Sequence, residues 1–292
     1  MNTYLFSILV LVAIASLAGL ALNLQWGLAG LVNFGLFGFY LLAAYVCAQL
    51  SATLHWNPWL AALAAVVLTA AASALVSLIS IRLSEDYLAI VTLGFAESLK
   101  LIATHEEWLT RGSLGIPNIP RPVIGDTAFL LCVLLAVAVV FGLFEVIARS
   151  PLGRNARAVR DDPLVAASLG KNVTGLRWRL FALGGAAVGV AGCVHAFYYG
   201  YVDPTQFGPI VTAYAFMAVI IGGRGSNRGV LLSSGTVILM LEGSRFLNDA
   251  LSFMSPAQLA ALRLMSIGVI LILVLIYRPQ GLVKENRLRN RP

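Results

Sequence analysis

Apolar residues in this chain come in long blocks, separated by short polar or basic connections. No charged residue interrupts Tyr4 to Leu24, Leu28 to Leu50, Trp59 to Ile81 or Thr127 to Leu143. A helix rises ~1.5 Å per residue, so ~20 residues cross the ~30 Å hydrocarbon core of a bilayer. In lipid the backbone must satisfy its own hydrogen bonds within each segment, which makes these blocks helices. Transmembrane strands would alternate over ~10 residues, and these blocks do not alternate. The pattern predicts spans at 4–24, 28–50, 58–81, 86–104, 127–148, 178–200, 210–223, 229–247 and 262–278. The expected fold is an all-α integral membrane protein, a polytopic bundle of nine transmembrane helices forming one domain over 1–292. The seventh span is short and ends in glycines. Asn33 and Gly35 mark a candidate break in the second.

Composition agrees with a lipid solvent. Of 292 residues, 59% are hydrophobic and 11% charged, with mean hydropathy +0.87; a soluble domain carries about 25% charged residues. The first span is expected to be retained, because Met1-Asn2-Thr3 has no basic side chain and the apolar run exceeds a signal peptide's core. Cys47, Cys132 and Cys193 lie inside apolar runs and read as small core residues. No Cys/His spacing suggests a metal, and no cofactor is expected.

Lys and Arg are retained on the cytoplasmic side of a membrane. The connection at 149–177, extended to Arg179, carries Arg149, Arg154, Arg157, Arg160, Lys171, Arg177 and Arg179. The tail at 279–292, with Arg278 before it, carries Lys284, Arg287, Arg289 and Arg291. Both are placed inside. Four spans lie between them, an even number, so the two assignments agree. Arg82, Arg224 and Arg228 then also fall inside, and nine spans place the N-terminus outside. The net charge of +7 is topological and gives no support to nucleic-acid binding.

The connection from Ser150 to Gly170 contains two helix starts. Ser150 precedes Pro151, and Asp162 precedes Pro163; each pair suits an N-cap followed by proline at the first helical position. Gly170 suits the residue after a helix end. Two short helices here fit either reception of a push from a soluble partner or attachment to anionic lipid through the arginines.

Several stretches resemble LivM-type permeases of the branched-chain amino acid ABC importer family. Arg82 to Glu97 (RLSEDYLAIVTLGFAE) is similar to that family's "RLxGDYLAIVTLGFxE". Leu109 to Ile116 (LTRGSLGI) is similar to "LTGGxxGI", with Arg111 where a glycine is usual. Gly222 to Gly229 (GGRGSNRG) resembles a "GGxGSxxGxxxG" loop, and Tyr277 to Leu282 (YRPQGL) an "RPxGL" ending. The 150–170 connection resembles the family's cytoplasmic loop. The resemblance implies an ABC importer permease of a bacterial inner membrane, translocating Leu, Ile or Val. The partners it implies are a second homologous permease, two cytoplasmic ABC ATPases, a periplasmic substrate-binding protein and membrane lipid. It assigns coupling to Asp162, Pro163, Leu164, Ala166, Ala167 and Gly170. The "EAA…G" coupling pattern of ABC permeases is met only loosely, since two residues rather than three separate Ala167 from Gly170. Urea and amide importers use similar permeases and stand as the nearest alternative.

The chain has no GxxxxGK[ST] phosphate loop: Gly170-Lys171 is followed by Asn172, with Val165 in place of the first glycine. ATP hydrolysis is therefore expected on other chains, and the protein itself is not expected to be an enzyme. An ion-coupled carrier would need carboxylates near mid-membrane, and Glu97 and Glu242 lie toward the outer ends of their spans. Each has a basic residue three positions on, Lys100 and Arg245, which makes either an interfacial ion pair or part of an outer vestibule. His195, beside Tyr198, Tyr199 and Tyr201, reads as an interface anchor. Asn23, Gln25 and Asn33 sit among Gly27, Gly30, Gly35 and Gly38. This stretch and 222–229 suit either close helix packing or the broken helices with which transporters expose backbone to substrate. Candidates for the translocation pathway are Asn33, Gly35, Glu97, Glu242, Gly223 and Gly225.

Overall fold

The computed structural model describes residues 2–80, 85–243, 256–278 and 280–284. Arg82, Arg245, Pro279 and the basic tail after Lys284 lie outside the described residues. Each predicted span overlaps a helix among the described residues: α1 (Asn2–Leu22), α2 (Leu36–Ala48), α3 (Pro58–Ser80), α4 (Glu85–His105), α6 (Asp126–Arg149), α9 (Val173–Tyr199), α10 (Pro209–Gly222), α11 (Asn227–Gly243) and α12 (Pro256–Tyr277). Between them lie three short helices, α5 (Glu107–Thr110), α7 (Pro151–Asp161) and α8 (Pro163–Ser168). Among the described residues, seven helices are long and apolar enough to cross a membrane: Tyr4–Leu28, Leu36–Thr53, Pro58–Ile79, Tyr87–His105, Asp126–Arg149, Val173–Tyr199 and Pro204–Gly222. The α11 helix has 17 residues, and Gly268–Tyr277 is the apolar part of α12.

The α9 helix is the axis of the bundle and packs on α1, α2 and α3. Its small residues allow the approach: Gly185 lies over Ser73 of α3, and Gly192 over the carbonyl of Tyr40 in α2. The opposite case is α6, whose Leu131, Leu135, Val139 and Val146 point outward, an apolar surface that suits lipid.

The bundle has two distinct ends. At one, β1 (Ile116–Pro117) pairs antiparallel with β2 (Tyr201–Val202), tying the connection after α4 to the end of α9. Arg121 fastens this ribbon end, donating to the carbonyls of Phe197 and Tyr198 and pairing with Asp126 at 2.9 Å. Arg111 has φ +60° after α5, a left-handed conformation that favours glycine; this is the position where the family pattern carries one. At the other end, the loop end, lie α7, α8 and the 222–229 connection. The C-terminal turn folds back there, with Leu282 N–H donating to the Ile221 carbonyl at 2.8 Å and Val283 N–H to that of Gly222 at 3.1 Å.

The second span is broken, as its Asn33 and Gly35 suggested. The α1 helix does not stop at Leu22 but continues as a π-helical turn, Asn23–Leu28. Residues 29–35 are not helical, and α2 starts only at Leu36. Thr hydroxyls accept N–H groups around this late start: Phe34 donates to Thr92 Oγ1 at 3.2 Å and Phe37 to Thr212 Oγ1 at 3.1 Å.

Candidate functional site

At the loop end, α7 and α8 form where their capping chemistry places them. The Ser150 Oγ accepts from Gly153 N–H, and Asp162 Oδ1 accepts from Leu164 N–H (2.9 Å) and Val165 N–H (3.0 Å). Pro163 opens α8, and Gly170, with φ +75°, follows its end. Ala166 is buried and seats the short helix; Ala167 faces out. Leu164 (81% exposed), Val165 and Leu169 (72% exposed) also face out. A six-residue helix thus carries an apolar crest on a connection rich in arginine.

Behind this pair lies a polar junction centred on the π-helical turn. Asn23 is buried; its amide donates to Asn227 Oδ1 at 2.9 Å and its oxygen accepts from Gly225 N–H at 2.9 Å. The Asn227 amide in turn reaches Glu145 Oε2 at 3.4 Å, and Glu145 pairs with Arg149 at 2.6 Å. Two arginines cap the carbonyls of the turn. Arg160 Nη1 of α7 donates to the Gly27 carbonyl at 2.6 Å, and Arg224 donates to that of Trp26 at 3.3 Å while stacking over the Trp26 ring. A Cβ at Gly27 would strike Asn23 Oδ1 and come within 2.8 Å of Gly225 N, so the two glycine-rich stretches meet only because both backbones are bare. Gln25 continues the network inward, donating to the Phe181 carbonyl and accepting from Asn33, both at 2.9 Å.

Beyond the junction, the non-helical 29–35 stretch borders a cleft of about 390 Å³ lined by Phe34, Leu93, Thr212, Phe216, Met217 and Leu271, among others. Phe216 joins the cleft to the junction, with its ring 5.3 Å from Phe34 and 5.1 Å from Trp26. The lining is almost wholly apolar, and Thr212 spends its hydroxyl on the α2 backbone.

The pathway candidates fall into three places. Asn33 and Gly35 are together at the break, where Gly35 presses on the Thr92 carbonyl. Gly223 and Gly225 are in the junction, Gly223 against the turn at Gln280 and Val283. Glu97 and Glu242 are apart from both, on α4 and α11. Among the described residues no ion pair joins Glu97 to Lys100, whose ammonium lies toward Gly208. His195 is not an interface anchor. It is buried, with Tyr40 OH at 2.8 Å from Nδ1 and Gln206 Oε1 at 2.8 Å from Nε2, because α2 and the 204–207 turn close over this part of α9. The cleft residues Phe34, Leu93, Phe216 and Met217 carried no signal in the sequence, since cleft walls and lipid-facing walls are equally apolar. Thr212 could have been noticed as the one small hydroxyl residue in an otherwise apolar span that also holds Tyr214.

Residues 4–275 match a family model described as branched-chain amino acid transport system / permease component. The high-affinity branched-chain amino acid transport system permease protein LivM of Salmonella typhimurium is 30% identical, over 92% of this chain and 67% of its own length. The LivM of Escherichia coli K12 matches at the same identity and coverage. In fold, the chain is similar to an ABC transporter solved in an inward-facing conformation, with TM-score 0.54, 19% identity, and coverage of 93% of this chain and 86% of that one.

Proposed function

Because this chain belongs to the permease family of branched-chain amino acid transport systems, we propose that it is one membrane-spanning subunit of an ATP-driven ABC importer carrying Leu, Ile or Val into the bacterial cytoplasm. It is a multi-pass transport component. In this reading all nine long helices span the inner membrane, the N-terminus is outside, and the loop end faces the cytoplasm. The ribbon end then receives a periplasmic binding protein, a second permease completes the pathway, and two ATPases drive it.

The observation that carries the reading is the apolar crest of α8, held out by the Asp162 cap over a buried Ala166. Exposed apolar groups on a rigid element mark a surface that meets a partner. Two of the arginines around them are set back: Arg160 is turned into the junction and Arg157 holds the Ala148 carbonyl, while Arg154 stays exposed. That favours an ATPase cleft over a lipid headgroup layer as what α8 meets. The apolar cleft suits an aliphatic side chain, each buried methylene being worth ~0.8 kcal/mol. A small polar solute such as urea would leave its hydrogen bonds unmade against Phe34, Phe216 and Met217.

The test is reconstitution. Proteoliposomes holding both permeases, both ATPases and the binding protein should take up labelled leucine only with ATP, and excess isoleucine or valine, not urea, should compete. The chain alone should neither hydrolyse ATP nor transport. Uptake by the chain alone, driven by ATP or by an ion gradient, would overturn the reading.

A further inference from the structure

The candidate coupling helices and the cleft do not touch, so a step at one must reach the other through something between them. Chains of packed side chains and hydrogen bonds carry such coupling. The structure offers a short one. Arg160 is the last basic residue of α7, its guanidinium is mostly buried, and it donates to the Gly27 carbonyl at 2.6 Å. Gly27 is in the π-helical turn Asn23–Leu28. The turn's Trp26 ring meets Phe216, a cleft wall. Its Gln25 holds Asn33, the neighbour of Phe34, which is another cleft wall. From the opposite side, Asn23 ties the turn to Asn227 and Gly225, and Asn227 to Glu145, one helical turn before α6 gives way to the α7–α8 connection. The turn is therefore gripped from both flanks of the loop end, touches one aromatic wall of the cleft, Phe216, and reaches the other, Phe34, through Asn33. Turns of π-helix recur at functional sites, and this one has backbone carbonyls capped by side chains from outside its own helix, so its shape depends on where those side chains are.

We infer that the π-helical turn Asn23–Leu28 transmits movement of α7 and α8 to the cleft, with Arg160 and Asn23 as positioning residues. Neither residue touches the transported molecule. Both hold the turn against elements that move with the ATPases. The inference rests on the importer reading above.

The experiment uses the complete transporter in proteoliposomes and reads leucine uptake and substrate-stimulated ATP hydrolysis in the same vesicles. In Arg160→Ala, uptake should fall about tenfold, the scale of one lost charge-assisted hydrogen bond, while ATP hydrolysis falls far less. The ATP consumed per leucine moved should then rise by nearly the same factor. Arg160→Lys keeps the charge and one donor and should restore most of the ratio. Asn23→Ala should raise the ratio too. Should that variant fail to insert, Asn227→Ala breaks the same contact from the other side. Combining Arg160→Ala with Asn227→Ala should give less than the product of the single effects, since both act on one turn. An unchanged ratio in Arg160→Ala, whether both rates fall together or neither moves, overturns the inference. Failure of the unmodified complex to use ATP for uptake would overturn the importer reading instead.

Discussion

Asp162 acts twice at one position. Its carboxylate takes two N–H groups that open α8, and its backbone ends α7 in extended geometry, φ −155° and ψ 108°. Without it, the six residues of α8 keep little else that fixes their direction. Asp162→Ala removes a cap worth about 0.5–2 kcal/mol and should leave insertion intact while uptake and binding-protein-stimulated ATP hydrolysis fall several-fold in the reconstituted complex. Gly170→Val should act alike, since φ +75° is strained for a branched side chain. Arg154→Ala, on the exposed side of α7, should leave both rates near normal; a lipid-dependent loss there would instead support headgroup attachment. Arg157 is a poorer control than its sequence position implies, because it holds the Ala148 carbonyl. At the ribbon end, Arg111→Gly relieves a left-handed arginine and should be neutral or raise thermal stability by up to about 1 kcal/mol, read as Tm in detergent. These caps were legible in the sequence because capping is local chemistry: Ser150-Pro151, Asp162-Pro163 and Gly170 need no tertiary information. Nothing local announces that Arg160 points into the bundle.

At the scale of elements, the break between α1 and α2 separates two kinds of glycine. A Cβ on Gly35 would drive into the Thr92 carbonyl of α4, whereas one on Gly94, on α4 itself, meets nothing within 4 Å. Gly35→Ala should therefore lower the stability of the purified chain by about 1–3 kcal/mol, the usual range for overpacking. Gly94→Ala should be neutral or slightly stabilising, as alanine favours a helix by about 1 kcal/mol over glycine. Thermal melts of both variants in one detergent decide it, and equal Tm values would contradict the packing described. Helix positions were legible because ~20 apolar residues between polar connections have one reading in lipid. The late start of α2 was visible only as a clustering of Asn33 and Gly35. The π-helical turn was not visible, since it is imposed by the arginines and asparagines of distant segments. The same applies to His195: a tyrosine-flanked histidine near a helix end looks interfacial until the depth of its helix is known.

At the scale of the whole molecule, α6 runs from the ribbon end to the loop end and α9 runs back, and the proposed orientation puts the loop end in the cytoplasm. A cysteine replacing exposed Ala158 of α7 should resist a membrane-impermeant thiol reagent added to intact cells, and one replacing Ile124 (99% exposed), beside the ribbon, should react. The background should carry Cys132→Ser, because Cys132 is the only native cysteine not buried. The reverse labelling pattern would invert the topology. The two-residue ribbon also has a consequence for synthesis. Ile116 and its partner Val202 are separated by α6, the α7–α8 connection and α9. At about 5–20 residues per second, β1 emerges from the ribosome several seconds before β2 exists. Through that interval the 106–125 connection has no strand to pair with, and closure waits on α9, the most buried of the candidate spans, whose glycines pack on α2 and α3. The ribbon is thus a late-closing clasp: a nascent chain that has failed to seat α9 leaves this connection open to a protease on that side, and one that has seated it does not.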